Sequence, residues 1–260
     1  MEQSNYTEEQ LEEAKEYLRL RLRNQRSMSA DVLRLLEMYA GYLLTALFGN
    51  ASDNDIQLLI EDLVEQLMTD VELLAVDTHN RKDLILAYIR RDIEGDNLRG
   101  RISSRVRTYA NEVMAVYVGG KAIGENYETM LSTIKSNLND PWNNPILVTA
   151  RERVEKGEIT IPDDVDLDEP SYGQGIAISS LKALDLMTEY AIAEGWMEWL
   201  YLENKDKGAK GYYRVRMSQY PCDLCDSLCG IFYPITDEEN KGLAHPNCVC
   251  GIIYSYVERL

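Results

Sequence analysis

Basic side chains are scarce in this sequence relative to acidic ones. Its 260 residues include 27 Lys and Arg against 44 Asp and Glu, and the formal net charge is −17. A surface of this charge repels phosphate backbones, so we expect neither broad nucleic-acid binding nor a sequence-specific nucleic-acid partner. Solubility is one explanation of the acidity. The other explanation is that the protein functions close to DNA and its acidic surface keeps it from binding.

Long apolar runs are absent as well. No stretch reaches the roughly 18 consecutive apolar residues of a membrane-spanning helix, so we expect no membrane partner. Residues 1–5 have neither the basic start nor the apolar run of a signal peptide. We therefore expect a reducing compartment, where paired cysteines are more often metal ligands than disulfide partners.

The signatures of several catalytic sites are missing. There is no Gly-rich phosphate loop and no His-Glu-x2-His helix. A zinc deaminase needs a His-x-Glu upstream of its cysteine pair, but the upstream histidine, His79, is followed by Asn80 and Arg81. A zinc-knuckle nuclease needs a histidine base besides the metal ligands, and His245 is the sole histidine near the cysteines. The sequence therefore predicts no enzymatic activity, and His79 is interpreted as a surface or capping residue.

Hydrophobic periodicity predicts helices through the first 140 residues. Thr7 and Gln10 have capping-box spacing at the start of one helix, and a second is expected from a cap near Ser29 to Gly49. An apolar stripe at steps of three and four residues predicts a third helix over 56–71. Further helical patterns cover 81–94, 98–118 and 124–137. Core contacts of a helical bundle explain these stripes, although a partner helix could use the same faces.

Proline, glycine and acidic residues concentrate in the middle of the chain. Pro141 and Pro145 disfavour helix at the residues before them, and 161–175 combines further prolines and glycines with closely spaced acids. We therefore expect a solvated linker at 141–175. It would separate a helical region at 1–140 from a C-terminal module at 176–260.

The C-terminal module has a different hydrophobic period. A helix is predicted over 179–202, and residues 213–217 then alternate Tyr, Val and Met with two arginines, as in a strand with one buried face. Short apolar runs at 230–233 and 252–254 predict two more strands. The predicted fold class is α+β and mostly α, with a helical N-terminal region and a small β-rich C-terminal module.

Metal-ligating side chains are concentrated in one short segment. All five cysteines and one of the two histidines lie between residues 222 and 250. Cys222-x2-Cys225 and His245-x2-Cys248-x-Cys250 form two half-sites with nineteen residues between them. A Cys-x2-Cys pair directs two thiolates at one ion, and a second pair completes a tetrahedron. The sequence therefore predicts one structural zinc ion that staples the β-rich module; buried reduced cysteines or disulfides are the alternatives.

The segment offers more ligands than a tetrahedral ion takes. The Cys222-x2-Cys225 pair is the strongest candidate ligand pair, and His245 with Cys248 has the same spacing. Cys250 lies one strand step further and is an alternative to Cys248 as the fourth ligand. Cys229 is the weakest candidate and is interpreted as a small buried thiol. Four protein ligands leave no position for water, so the ion is expected to be structural rather than catalytic.

Several C-terminal motifs occur together in a fixed order. An aromatic helix end at 194–199 precedes Arg214-Val215-Arg216, the Cys-x2-Cys pair, a strand at 230–233 and the ending His245-Pro246-Asn247-Cys248-Val249-Cys250. Over roughly residues 175–256 this order resembles the phage Mu F-like minor head proteins. Two positions depart from that family: Cys229 stands where an acid is common, and Val249 stands where arginine is common.

The resemblance implies a structural virion protein of the head or the head–tail neck, made in the cytoplasm of a bacterial host. Its implied partners are portal or neck proteins of a phage particle, within a ring or another multi-copy assembly. An intracellular zinc-ribbon adaptor outside the particle is the alternative function. A toxin-like domain or a nuclease is a third hypothesis, and it lacks an identifiable base or nucleophile.

Overall fold

The computed structural model describes residues 7–76, 98–168, 178–217, 219–220, 222–245 and 248–257. These residues form mostly helices and one small three-stranded antiparallel sheet near the C-terminus. The predicted class, α+β and mostly α, is therefore confirmed. The helix predicted over 81–94 and the interpretation of His79 lie outside the described residues. In the part of the chain that the structure describes, no helix has both the length and the apolar character needed to cross a bilayer.

The described residues contain seven α-helices. In chain order they are α1 (Glu8–Phe48), α2 (Asp53–Val76), α3 (Leu98–Ile123), α4 (Tyr127–Ser136), α5 (Pro145–Glu155), α6 (Ser180–Asp206) and α7 (Asp223–Leu228). A short 3₁₀ turn, Pro141–Asn143, precedes α5. The helices predicted over 56–71, 98–118, 124–137 and 179–202 correspond to α2, α3, α4 and α6.

The first helix is longer than the sequence predicts. The break expected near Ser29 is wrong, because no Gly or Pro interrupts the segment 8–40 and helix propagation meets no obstacle there. Met28, beside Ser29, is fully buried, so packing supports the helix at this point. The capping box is confirmed: the Thr7 N–H donates to Gln10 Oε1 at 2.9 Å, and the Gln10 N–H donates to Thr7 Oγ1 at 3.2 Å.

Part of the segment predicted as a linker is helical. Both its 3₁₀ turn and α5 begin at a proline, because proline presets the helical φ and lacks the N–H that a first turn leaves unbonded. Asn144 caps α5, with its Oδ1 accepting the Ile146 N–H at 3.0 Å. Leu147 and Ala150 are buried. Residues 169–177 of the predicted linker lie outside the described residues.

The three predicted strands are present and form one sheet. They are β1 (Gly211–Val215), β2 (Phe232–Pro234) and β3 (Gly251–Ser255), in the antiparallel order β2-β1-β3. Tyr212 in the central strand pairs with Tyr233 and Tyr254 on its two sides. The expectation of one buried face is wrong, because every residue of β1 is buried, Arg214 included. The central strand is therefore covered on both faces.

The described residues divide into two compact units that do not follow the order of the chain. The first unit takes its residues from 1–28, 71–91 and 188–260, and the second from 29–70 and 92–187. In the first unit, Ala14 of α1, Val215 of β1 and Ile253 of β3 form one hydrophobic cluster. The Gln10 Nε2 also donates to the Tyr254 carbonyl at 3.2 Å. The start of α1 therefore packs on the C-terminal sheet.

The second unit contains a buried carboxyl group. Tyr109 of α3 donates from its hydroxyl to the Leu36 carbonyl of α1 at 2.5 Å. Glu112, three residues further along α3, is also buried and accepts a hydrogen bond from Ser180 Oγ at 2.7 Å. Burial raises the pKa of Glu112 from 4.5 to about 7. This carboxyl group is therefore largely protonated at mildly acidic pH.

Candidate metal centre

The first half-site lies at the start of α7. Cys222 is the N-cap of this helix, and its Sγ accepts the backbone N–H of Cys225 at 3.4 Å. Because the two residues are three apart across a helix start, their side chains lie on the same side of the turn. The helix ends where the Cys229 N–H bonds to the Cys225 carbonyl at 2.9 Å. Gly230 follows with a φ of 79°, a left-handed conformation that favours glycine, and leads the chain into β2.

The second half-site lies directly before β3. The Cys248 N–H donates to the His245 carbonyl at 3.1 Å, which links the two ends of the His-x2-Cys motif. Cys250 precedes the first residue of β3, and its N–H points to Cys248 Sγ at 3.5 Å. Since β3 pairs with β1, and α7 follows β1, the sheet brings the two half-sites together.

The side chains of the two half-sites meet around Cys225. His245 Nε2 lies 3.2 Å from Cys222 Sγ and 3.2 Å from Cys225 Sγ. Cys225 Sγ lies 3.8 Å from Cys248 Sγ. The ligand atoms form two groups of three, Cys222 with Cys225 and His245, and Cys225 with Cys248 and Cys250, and within each group they lie within 4.8 Å of one another. The structure thus brings all five predicted ligands together, and the cluster could hold a metal ion.

Three separations among these atoms are close to those of neighbouring ligands on one tetrahedral ion. With Zn–S bonds of about 2.3 Å and Zn–N bonds of about 2.0 Å, neighbouring sulfurs lie about 3.8 Å apart and sulfur and nitrogen about 3.5 Å apart. The Sγ separation of Cys225 and Cys248, 3.8 Å, matches the first value, and the 3.2 Å contacts of His245 Nε2 approach the second. Sulfur and imidazole donors are ligands that soft and borderline metal ions prefer.

Hydrogen bonds and burial shift the pKa values of the thiols in opposite directions. The Cys225 N–H lowers the pKa of Cys222, and a hydrogen bond from the Cys250 thiol lowers the pKa of Cys248 to about 4. The same contact with Cys248 raises the pKa of Cys250, and burial raises the pKa of Cys225 to about 12. Burial also raises the pKa of Cys229. Each half-site therefore contains one thiol whose pKa is lowered by hydrogen bonds.

The loop that leads to His245 is fixed by two side chains from other elements. Arg214 Nη2 in β1 donates to the carbonyls of Asn240 at 2.8 Å and Gly242 at 2.6 Å. Glu194 Oε1 in α6 accepts the Leu243 N–H at 2.7 Å. Groups of this kind orient the ligands of metal sites, and their loss weakens metal binding.

The start of α1 supplies a further contact to the cluster. Arg21 is only 3% exposed, and its Nη2 donates to the carbonyl of Cys248 at 2.7 Å. Its Nη1 contacts Met197 Sδ of α6 at 3.7 Å. A buried guanidinium therefore holds the backbone of a candidate ligand.

Arg21, Arg214 and Glu194 were not identified as site residues from the sequence. The motif spacing locates the ligands themselves, but Arg21 is 227 residues from the carbonyl that it contacts. The alternation in β1 placed Arg214 on an exposed face, whereas it is 1% exposed. Cys229, the weakest candidate, is half-buried, with its Sγ 4.0 Å from Cys250 Sγ.

Comparisons with known protein families, with curated proteins and with solved structures found no match to this chain. The resemblance to the Mu F-like minor head proteins therefore stays a prediction from the motifs of the C-terminal segment.

Proposed function

We propose that this protein is a structural minor head or neck protein of a tailed phage, stapled by one zinc ion and associated with the portal region. The observation that carries the zinc assignment is the clustering of Cys222, His245 and Cys248 around Cys225: His245 Nε2 lies 3.2 Å from the sulfurs of Cys222 and Cys225, and Cys225 Sγ lies 3.8 Å from Cys248 Sγ. The order of the C-terminal motifs, with the His-Pro-x-Cys-x-Cys ending, supports the phage assignment.

Cys248 is the proposed fourth ligand because its environment repeats that of Cys222. Each of these sulfurs accepts a backbone N–H, from Cys225 at 3.4 Å and from Cys250 at 3.5 Å. Bonds of this kind stabilise a thiolate. Cys250 donates its backbone N–H to Cys248 Sγ, and its own Sγ lies 4.0 Å from Cys229 Sγ, so we propose a role for it outside the ligand set.

A site with four protein ligands favours a structural over a catalytic role. Catalytic zinc keeps a position open for water or substrate, and three thiolates with one imidazole leave none. The zinc would then fix α7, the loop to His245 and the start of β3 as one module. The chemistry that it supplies is cross-linking of the fold.

The net charge of −17 bears on the place of the protein in a particle. A strongly acidic chain is repelled by packaged DNA, so we propose that the protein is located at the portal or the neck rather than within the DNA core. A ring of portal or neck proteins is the proposed partner.

Two measurements test the proposed function. Mass spectrometry of purified particles from the phage that encodes the chain should find it as a component, and a reconstruction should place it at the portal vertex. Absence from particles would favour the adaptor function, and a position throughout the DNA core would contradict the proposed location. Metal analysis and native mass spectrometry of the purified protein should find one zinc ion per chain, and none in the Cys222→Ser Cys225→Ser double variant.

A further inference from the structure

Two buried arginines near the thiol cluster have no carboxylate hydrogen-bond partner among the described residues. Arg21 is 3% exposed and Arg214 1% exposed, and both donate to backbone carbonyls, from Arg21 to Cys248 and from Arg214 to Asn240 and Gly242. Neither forms an ion pair with a carboxylate among the described residues. The Nε atoms of both side chains also lack a hydrogen-bond partner in the described part of the chain.

A buried guanidinium needs a counter-charge. An uncompensated buried charge is strongly unfavourable, and arginine cannot lose its proton to escape this cost. Three neighbours favour the charged form of Arg21: first Cys248 and Cys250, and then Glu194, whose carboxylate also accepts the Leu243 N–H. Glu194 is thus a partial counter-charge, and the thiol cluster is the larger one.

A zinc ion bound by the proposed ligands would supply that counter-charge. Three thiolates and a neutral imidazole around a divalent ion leave one net negative charge, and the charge of the ion has to be counted in such a site. The Arg21 guanidinium touches the backbone of one of these ligands, at 2.7 Å from the Cys248 carbonyl. The charge of the loaded centre and the charge of Arg21 therefore compensate each other.

Resting on the proposed zinc centre, we propose that Arg21 is its buried counter-ion, and that zinc binding thereby locks residues 8–28 of α1 onto the C-terminal module. Arg21 is a positioning residue, since it acts through Cys248 and contacts no metal. The coupling is reciprocal: a docked α1 raises the affinity for zinc, and bound zinc raises the stability of the docked α1. The zinc-stapled module therefore extends to the N-terminal helix.

Zinc affinities of full-length variants, measured by competition with a chromophoric chelator, test the counter-ion role. Arg21→Met keeps an apolar stem without the charge, and its affinity should fall about 10- to 100-fold. Arg21→Lys restores the charge and should recover part of the loss. Arg19→Met is the matched control on the same helix, because the Arg19 side chain is 65% exposed, and its affinity should not change.

Hydrogen exchange of the wild-type chain gives an independent readout. Chelation of zinc should speed amide exchange within 8–28 by about tenfold or more, since this segment loses its anchor. Wild-type affinity in a folded Arg21→Met variant that still binds one zinc would overturn the counter-ion role and leave the zinc centre standing. A wild-type chain that binds no zinc would overturn both. If Arg21→Met does not fold, unchanged exchange within 8–28 on chelation of the wild type overturns the proposal.

Discussion

Cys225 Sγ and Cys248 Sγ lie 3.8 Å apart, although 23 residues separate them along the chain. Cys225 lies in the first turn of α7 and Cys248 precedes β3, and the pairing of β1 with β3 brings them together. Cys250 shares the cluster but is oriented toward both Cys248 and Cys229. The two sulfurs that compete for the fourth ligand position therefore have different neighbours.

This difference predicts unequal effects of two serine substitutions. Cys248→Ser should lower zinc affinity by at least about 100-fold, because a ligand is lost. Cys250→Ser should keep one bound zinc with a loss within about tenfold, because its backbone N–H still donates to Cys248. Cobalt titration reports the result, since the thiolate-to-cobalt absorption grows with the number of cysteine ligands. Cys229→Ser is the control, and a reversed order of the first two variants would assign the fourth position to Cys250.

Zinc removal should unfold the C-terminal module and spare the second unit. Metal binding supplies on the order of 10 kcal/mol of folding energy in small zinc modules, so chelation should melt the segment from about residue 211 onward. The helices of 29–70 and 98–168 have their own core and should persist. Limited proteolysis with and without chelator should show new cleavage sites confined to the first unit. A proteolytic pattern that chelation leaves unchanged would count against the zinc centre.

The clustering of the candidate ligands could be predicted from the sequence because their spacing is local. A Cys-x2-Cys pair and a His-x2-Cys pair carry their geometry within a few residues, and the structure brings these side chains together. The strands were also predicted, the first from alternation over 213–217 and the other two from short apolar runs. The mostly helical character of the fold was likewise predicted from apolar residues that recur at steps of three and four.

The parts that were not predicted depend on contacts across the chain. The break near Ser29 was wrong because serine is an acceptable interior helix residue where packing supports the helix. Arg214 reads as an exposed residue of an alternating strand, and only the carbonyls of the loop at 240–242 explain its burial. The attachment of Arg21 to Cys248 depends on tertiary structure that no local pattern contains.

The loop anchor Glu194 should affect zinc binding without being a ligand. Glu194→Ala removes the acceptor of the Leu243 N–H and frees the loop that carries His245, so zinc affinity should fall about tenfold. Glu194→Gln retains an acceptor oxygen and should lose less. Glu203→Ala, on the same helix, removes a carboxylate that pairs with Lys207 and should leave zinc affinity unchanged. Equal affinities for all three variants would show that the loop needs no anchor.

The buried carboxyl of Glu112 predicts a pH dependence of stability. Its pKa is raised from 4.5 to about 7 in the folded chain by burial, while hydrogen bonds from Ser180 and the charge of Arg105 partly oppose the shift. Between these two pH values the folded state keeps a proton that the unfolded state has lost. Stability should therefore fall as pH rises from 4.5 to 7, by roughly 3 kcal/mol, and level off above pH 7.

Urea unfolding of Glu112→Gln at pH 5 and pH 8 measures this contribution. The amide accepts the hydrogen bond from Ser180 Oγ but carries no charge, so the variant should gain stability relative to wild type as the pH rises. Glu155→Gln is the control, because Glu155 is exposed at the end of α5 and should leave the pH profile unchanged. Comparison of the variant with wild type cancels the contributions of groups that both chains share. If the unfolding free energies of Glu112→Gln and wild type change equally with pH, the pKa of Glu112 is not raised in the folded chain. Groups beyond Ser180 and Arg105 would then stabilise its ionised form.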